Sequence, residues 1–351
     1  MKKILCLFIF ATALYGCKSK SSLSILNKNN TSVSIDTLFT DKISIRAIEI
    51  DQNKIWYAGD KNRFGYFDLI TNQRVERKIN SDPLQIEFRS IAQTSHSVFI
   101  LSVGNPALLY KINKHDLSYK LVYQENHEKV FYDAIRFIDN QKGIAIGDPT
   151  ADTFSIITTV DGGENWNKLS SNDLPKLAVG EAAFAASNTN IVVKGNRIFL
   201  VSGGFKSRVF VSDDFCQTWK VYETPIIQGQ AMTGIFSADF LNEKIGIIVG
   251  GNYEVQSDNN KNKAITFNGG QTWKLIGNNQ SFGYASCVQF FPHSNGKKII
   301  SVGTTGIYSS FDQGDNWKKV ADDKELFTIR FQNSKTAILA GKNKLVRMNL
   351  N

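Results

Sequence analysis

Four copies of one short pattern constrain this chain more than any other feature. TTVDGGENW ends at Trp166, VSDDFCQTW at Trp219, ITFNGGQTW at Trp273 and SSFDQGDNW at Trp317, so successive tryptophans lie 53, 54 and 44 residues apart. That period matches one four-stranded propeller blade with loops of variable length. The shared core is Ser/Thr, any residue, Asp/Asn, any residue, Gly, any residue, Thr/Asn, Trp, the layout of an Asp-box. Asp161, Asp214, Asn268 and Asp312 can accept backbone hydrogen bonds in a tight turn. Gly163, Gly270 and Gly314 can take positive φ cheaply, and Cys216 replaces the glycine in the second copy. Trp166, Trp219, Trp273 and Trp317 then each bury a large ring. This is the chemistry of a folding staple rather than of a catalyst.

Between the boxes runs a second rhythm: a strand, a turn, a strand ending in Val/Ile/Ala-Gly, and a third strand. It begins at Ile55, Val98, Gly143, Arg197, Ile245, Ile299 and Ala337. Seven phrases against four boxes predict an all-β, seven-bladed β-propeller, with six or eight blades as the alternatives. About 335 residues after removal of a leader suit a closed propeller better than a single ordinary core. Aromatic residues reach 11% and prolines number only six, with no long helical pattern to compete. The last phrase stops soon after its third strand, whereas Ser32 to Phe39 alternates with no phrase before it. Pairing that segment into the last blade would close the ring and cover its open edges.

The chain opens with Lys2 and Lys3, an apolar run from Ile4 to Ala13, and Leu14-Tyr15-Gly16-Cys17. This is the layout of a secretion signal with a lipoprotein processing box, too short for a membrane span. The domain reading is therefore a signal peptide at 1–16, a Ser/Lys/Asn-rich flexible tether at 17–31 and a single propeller at 32–351. Lipidation of Cys17 would anchor an exported protein at the outer membrane, facing the periplasm or the cell surface. Ordinary signal cleavage, leaving a soluble exported protein, is the alternative. Cys216 and Cys287, in different blade-sized segments, are expected to stay unbridged. Loss of Lys2 and Lys3 lowers the formal charge from +9 to +7, a value that dispersed, solvated lysines explain.

The phrases FYDAIRFIDNQKGIAIGDP (Phe131 to Pro149), SGGFKSRVFVSDD (Ser202 to Asp214), GIFSADF (Gly234 to Phe240) and GGNY (Gly250 to Tyr253) appear with the four boxes. Together they resemble the bacterial relatives of the photosystem II stability and assembly factor. Such chains carry BNR/Asp-box repeats on a sialidase-like scaffold and are often loosely labelled oxidoreductases. The resemblance spans Ser32 to Asn351 and implies a seven-bladed propeller with a binding or assembly role. It does not carry over the photosynthetic client, and the boxes alone are shared by sialidases, receptors and assembly factors.

Four arginines occupy comparable inner-strand positions: Arg46 in IRAI, Arg89 in EFRS, Arg136 in AIRF and Arg330 in TIRF. Converging on the channel they would form an anion pocket; paired with nearby carboxylates they would be structural. A sialidase-like glycan hydrolase needs such a cluster together with a Tyr nucleophile, a Glu partner and an Asp acid/base. Asp133 and Glu181 are the candidate acids and Tyr253 the candidate nucleophile. Adjacent Tyr253 and Glu254 face opposite ways in a strand, however, which weakens a joint role. Asp148, followed by Pro149, reads as a loop-fixing acceptor.

Scattered His96, His115, His127 and His293 give no metal spacing, and Asp258, Asn259 and Asn260 read as turn residues rather than calcium ligands. Ser202-Gly203-Gly204 lacks the spacing and helix of a dinucleotide loop, so no cofactor is expected and the oxidoreductase label has no support in the residues. Lys261, Lys263, Lys297, Lys318 and Lys319 are dispersed without a recognition motif, against nucleic-acid binding. The sequence reading is a monomeric, lipid-anchored scaffold for a protein, peptide or glycan, with the glycan hydrolase as alternative, a polysaccharide-handling surface component as a third reading, and catalysis left open.

Overall fold

The structure, a computed structural model, describes residues 33–81 and 83–350. The leader, the Cys17 lipidation site and the whole of the tether lie outside the described residues.

Strand formation follows burial. Segments such as Ser97–Ser102 (SVFILS) and Gly143–Gly147 (GIAIG) are buried on both faces, because each sheet is packed between two others. Side chains of one sheet therefore meet the next: Phe99 and Leu101 share a core with Tyr132, Ile135, Ala145, Ile157 and Trp166. Each such fully buried aliphatic or aromatic side chain contributes roughly 1.5–3 kcal/mol. Outermost strands are polar instead, as in Gln73–Lys78 (QRVERK), whose outer edge faces solvent.

Among the described residues 28 strands form six hydrogen-bonded sheets. Four are four-stranded, and two have six strands. The expectation of seven blades is corrected to six on this hydrogen bonding. The reason is the closing strand itself. Val33–Asp51 is a 19-residue strand whose first half pairs antiparallel with Thr336–Leu350, from Val33 opposite Leu350 to Ser44 opposite Lys342. Its second half pairs with Lys54–Gly59, so the first and last sequence phrases merge into one continuous sheet. The closure expected from Ser32 to Phe39 thus exists, and it lowers the number of separate sheets.

The innermost strands pack side by side around a closed ring, the merged sheet supplying two of them, Val33–Asp51 and Leu326–Asn333, and the other five sheets one each: Phe88–Gln93, Tyr132–Phe137, Ile191–Lys194, Thr233–Phe240 and Cys287–Phe290.

The four tryptophan-terminated turns share one bonding scheme. In the first, Thr159 Oγ1 donates to Asp161 Oδ1 (2.8 Å) and accepts from Gly163 N (3.0 Å), while Asp161 Oδ1 accepts from Glu164 N and Asn165 N. Ser212 and Asp214, Thr266 and Asn268, and Ser310 and Asp312 repeat the first contact. The glycine position has φ of 76°, 84° and 91° at Gly163, Gly270 and Gly314, and 70° at Cys216. Cys216 and Cys287 are free and buried.

Candidate functional site

Among the described residues one segment bonds to innermost strands around the ring. Ala183 to Asn190 leaves regular secondary structure and crosses between the innermost strands as a plug, with Ser187, Asn188 and Asn190 fully buried. The polar groups of Ser187, Asn188 and Thr189 are held from around the ring, whereas the Asn190 amide has no partner. Asn188 Nδ2 donates to Ile91 O (2.7 Å), and its Oδ1 accepts from Ile135 N (2.9 Å). Ser187 Oγ donates to Ser286 O (2.6 Å), and Thr189 Oγ1 to Ser237 Oγ (2.9 Å). Arg330 Nη2 donates to Ser187 O (3.1 Å) and Arg136 Nη2 to Asn188 O (3.0 Å). Backbone carbonyls that point inward and would otherwise be stranded are satisfied by these arginines.

The plug divides the four sequence-predicted arginines into two pairs. Arg46, at the start of the half of Val33–Asp51 that pairs with Lys54–Gly59, and Arg89, the second residue of Phe88–Gln93, line one cavity of about 400 Å³. Arg330 lies near the end of its strand and lines a second cavity of about 380 Å³, with Glu49, Lys194 and Asp239. Arg136 pairs with that same Glu49, three residues beyond Arg46 and therefore roughly 10 Å further along the strand. The single anion pocket of four arginines does not form.

At the entry end the floor of the cavity is the plug itself, Ala182, Ala183, Ala185 and Ala186, whose small side chains leave the space open. One wall is aromatic. Phe184 stacks on Phe236 with centroids 3.9 Å apart, Tyr284 meets Phe236 edge-on at 4.7 Å, and Tyr253 meets Tyr284 at 5.1 Å. The facing wall is cationic. The Arg46 guanidinium lies 4.3 Å from the Phe327 ring centroid, its Nη1 reaches Ala186 O only at 3.5 Å, and its buried Nε has no partner. Burial, then the positive charge of Arg89, lowers the pKa of Arg46. Arg89 is tied to Glu87 through two contacts, Nε to Oε1 at 2.8 Å and Nη2 to Oε2 at 3.1 Å.

The candidate catalytic residues are not brought together. Glu181 is fully buried and committed to structure: it accepts from Arg208 Nε (2.9 Å) and Ser202 Oγ (2.6 Å), and also from Ala178 N. Asp133 is fully buried beneath the cavity wall. Its oxygens make no close hydrogen bond, and the Ala185 amide is the backbone group that acts on them. Burial first, and then Asp148, raise its pKa well above the carboxylate range. Asp148 does line the cavity; it accepts from Ala183 N (2.9 Å), the loop-fixing role expected of it, and burial pushes its pKa up to about 6. Tyr253 lines the cavity and is 40% exposed, with aromatic neighbours. Among the described residues no group of three or more His, Cys, Asp or Glu side chains is placed to hold a metal ion.

Sequence reasoning missed the plug, the aromatic wall and the presence of Asp148 in the cavity. One signal existed: EAAFAASNTN at Glu181 to Asn190 is a run of small residues that fits neither a strand phrase nor a box.

The fold and cavity place the chain structurally among β-propellers. No protein-family model and no curated relative matches the sequence. Solved structures do match in shape. One described as YCF48 bound to D1 peptide has a TM-score of 0.65 at 13% identity, over 92% of this chain and 98% of that one. YCF48 from Cyanidioschyzon merolae follows at 0.62 and 13%, over 91% and 98%. The RRP9 WD40 repeats give 0.63 at 9%, over 90% and 97%. Likeness at these identities establishes the propeller fold.

Proposed function

We propose that this protein is a binding or assembly scaffold whose entry-end cavity receives a peptide segment bearing an acidic group. The observation that carries the reading is the cavity's asymmetry: Arg46, with a buried unpartnered Nε, and Arg89 face an aromatic wall of Phe236, Tyr253 and Tyr284. A carboxylate between two guanidinium groups gains charge-assisted hydrogen bonds while a neighbouring side chain packs on the rings. The shape match to a propeller described as bound to a peptide supports the same class of ligand. Hydrolysis fits less well, because Arg136 and Arg330 hold the plug, Glu181 is paired with Arg208, and Tyr253 packs on the rings of Phe236 and Tyr284. In this proposal lipidated Cys17 anchors the scaffold at the outer membrane, and Cys17→Ser moves it from the membrane to the soluble fraction. Retention of the Cys17→Ser protein in washed membranes would remove the anchor from the reading.

The test of the site is calorimetric titration with N-acetyl-Tyr-Gly-Glu-Gly-amide, beside sialyllactose. The expected result is saturable peptide binding that weakens at least tenfold in Arg46→Met/Arg89→Met. Peptide affinity unchanged in the double variant, or sialyllactose binding in preference to peptide, overturns the reading.

A further inference from the structure

The entry cavity contains a feature that an anion site does not require. Asp148 stands in the cavity wall, opposite in charge to Arg46 and Arg89, with Asp133 fully buried behind it. Arg89 donates to Glu87 through Nε and Nη2 and makes no hydrogen bond to either aspartate, and its positive charge only partly opposes the rise in the Asp133 pKa. Only one Asp148 oxygen has a backbone donor, Ala183 N, and the oxygens of Asp133 make no close hydrogen bond. Burying two interacting carboxyls with no cation hydrogen-bonded to either is costly, and natural folds keep such pairs where something compensates them. Burial favours the protonated form of both carboxyls and raises the pKa of each.

We propose that the cavity recognises a dipolar peptide segment, an acidic residue next to a basic one, with the carboxylate on Arg46 and Arg89 and the cationic nitrogen on Asp148, backed by Asp133. This rests on the peptide-binding reading of the same cavity. The cation replaces the proton on the carboxyl pair, so docking releases a proton and strengthens as the pH rises. The charged and titratable groups around Asp148 are Asp133, Arg89 with its Glu87, Arg46, and Tyr253 and Tyr284 across the cavity. Of these the aspartates carry the change, since both hold their protons above the usual carboxylate range. The protein's formal charge of +9 opposes a cationic ligand at long range, so a gain from an added lysine reports a local contact.

The experiment compares N-acetyl-Tyr-Gly-Glu-Gly-amide with N-acetyl-Tyr-Gly-Glu-Lys-amide on the full exported chain at pH 7.5 and pH 5. Two buffers of different ionisation enthalpy are used to count protons. The expected result is at least fivefold tighter binding of the lysine peptide at pH 7.5, a smaller gain at pH 5 accompanied by greater proton release, and loss of both the gain and its proton release in Asp148→Asn. Equal affinity of the two peptides, or a lysine gain that survives in Asp148→Asn of native thermal stability, overturns the dipolar reading. Those outcomes leave the arginine reading to be judged separately, by whether the glycine peptide still depends on Arg46 and Arg89.

Discussion

Replacing Asn188 tests whether the plug is an energetic component of the ring. Its amide is fully buried and bridges two innermost strands, donating to Ile91 O and accepting from Ile135 N. Asn188→Ala strands both backbone groups where water does not reach, at about 1–3 kcal/mol for each. The residue also has φ of 59°, a left-handed conformation in which alanine costs about 1–2 kcal/mol and glycine essentially nothing. The expected losses are about 3–8 kcal/mol for Asn188→Ala and about 1–2 kcal/mol less for Asn188→Gly. Asn188→Asp keeps the acceptor but turns the Ile91 contact repulsive, and should be no better than alanine. Urea unfolding followed by tryptophan fluorescence reads these values, with calorimetry checking that the transition stays single. A loss below about 1 kcal/mol for Asn188→Ala would refute the reasoning, because it would mean that the ring satisfies its inward-facing groups without the plug.

Two further predictions concern the carboxyl pair and the repeated turns. Asp148 has a folded-state pKa raised by burial from 3.8 to about 6, so the folded protein binds the proton more tightly than the unfolded chain. Its contribution is complete below about pH 4 and lost as the pH rises through 6, about 3 kcal/mol over that window; Asp148→Asn should flatten this part of the stability profile, and parallel profiles from pH 4 to 7 would count against it. In the turns, a Cβ at Gly163 would lie 2.3 Å from Phe99 Cε1, whereas at Gly270 its nearest contact would be Val209 Cγ1 at 3.4 Å. Both have positive φ, so Gly270→Ala should cost about 1–2 kcal/mol and Gly163→Ala roughly 3 kcal/mol or more; equal melting temperatures would contradict the packing argument.

What could be read in the sequence followed from local rules. The strand phrases and the Ser/Thr-x-Asp/Asn turns repeat because each strand and turn solves the same burial and hydrogen-bonding problem. The sheet count was misread because Val33–Asp51 serves two partners along its length, and nothing within a single strand states that it will be shared. Arg46, Arg89, Arg136 and Arg330 were correctly placed on the innermost strands, but their separation depends on height along those strands. The EFRS, AIRF and TIRF segments look alike while Arg89 is the second residue of its strand and Arg136 and Arg330 are each the fifth. The plug was hidden because its stability comes from partners 35 to 143 residues away, among them Asp148 and Arg330.

The seam between Val33 and Leu350 also determines how the molecule bears load. A pull applied through the residues preceding Val33 enters at the end of the ladder that joins Val33–Ser44 to Lys342–Leu350. Directed along the strand, it shares the force among many hydrogen bonds at once; directed across the strand, it opens them one after another. The side chains of Val33 and Ile35 pack on a core containing Met348 and Leu350, so slippage would also strip apolar contacts. The joint that completes the ring is thereby its mechanical clasp, and its strength depends on the angle from which the chain is pulled.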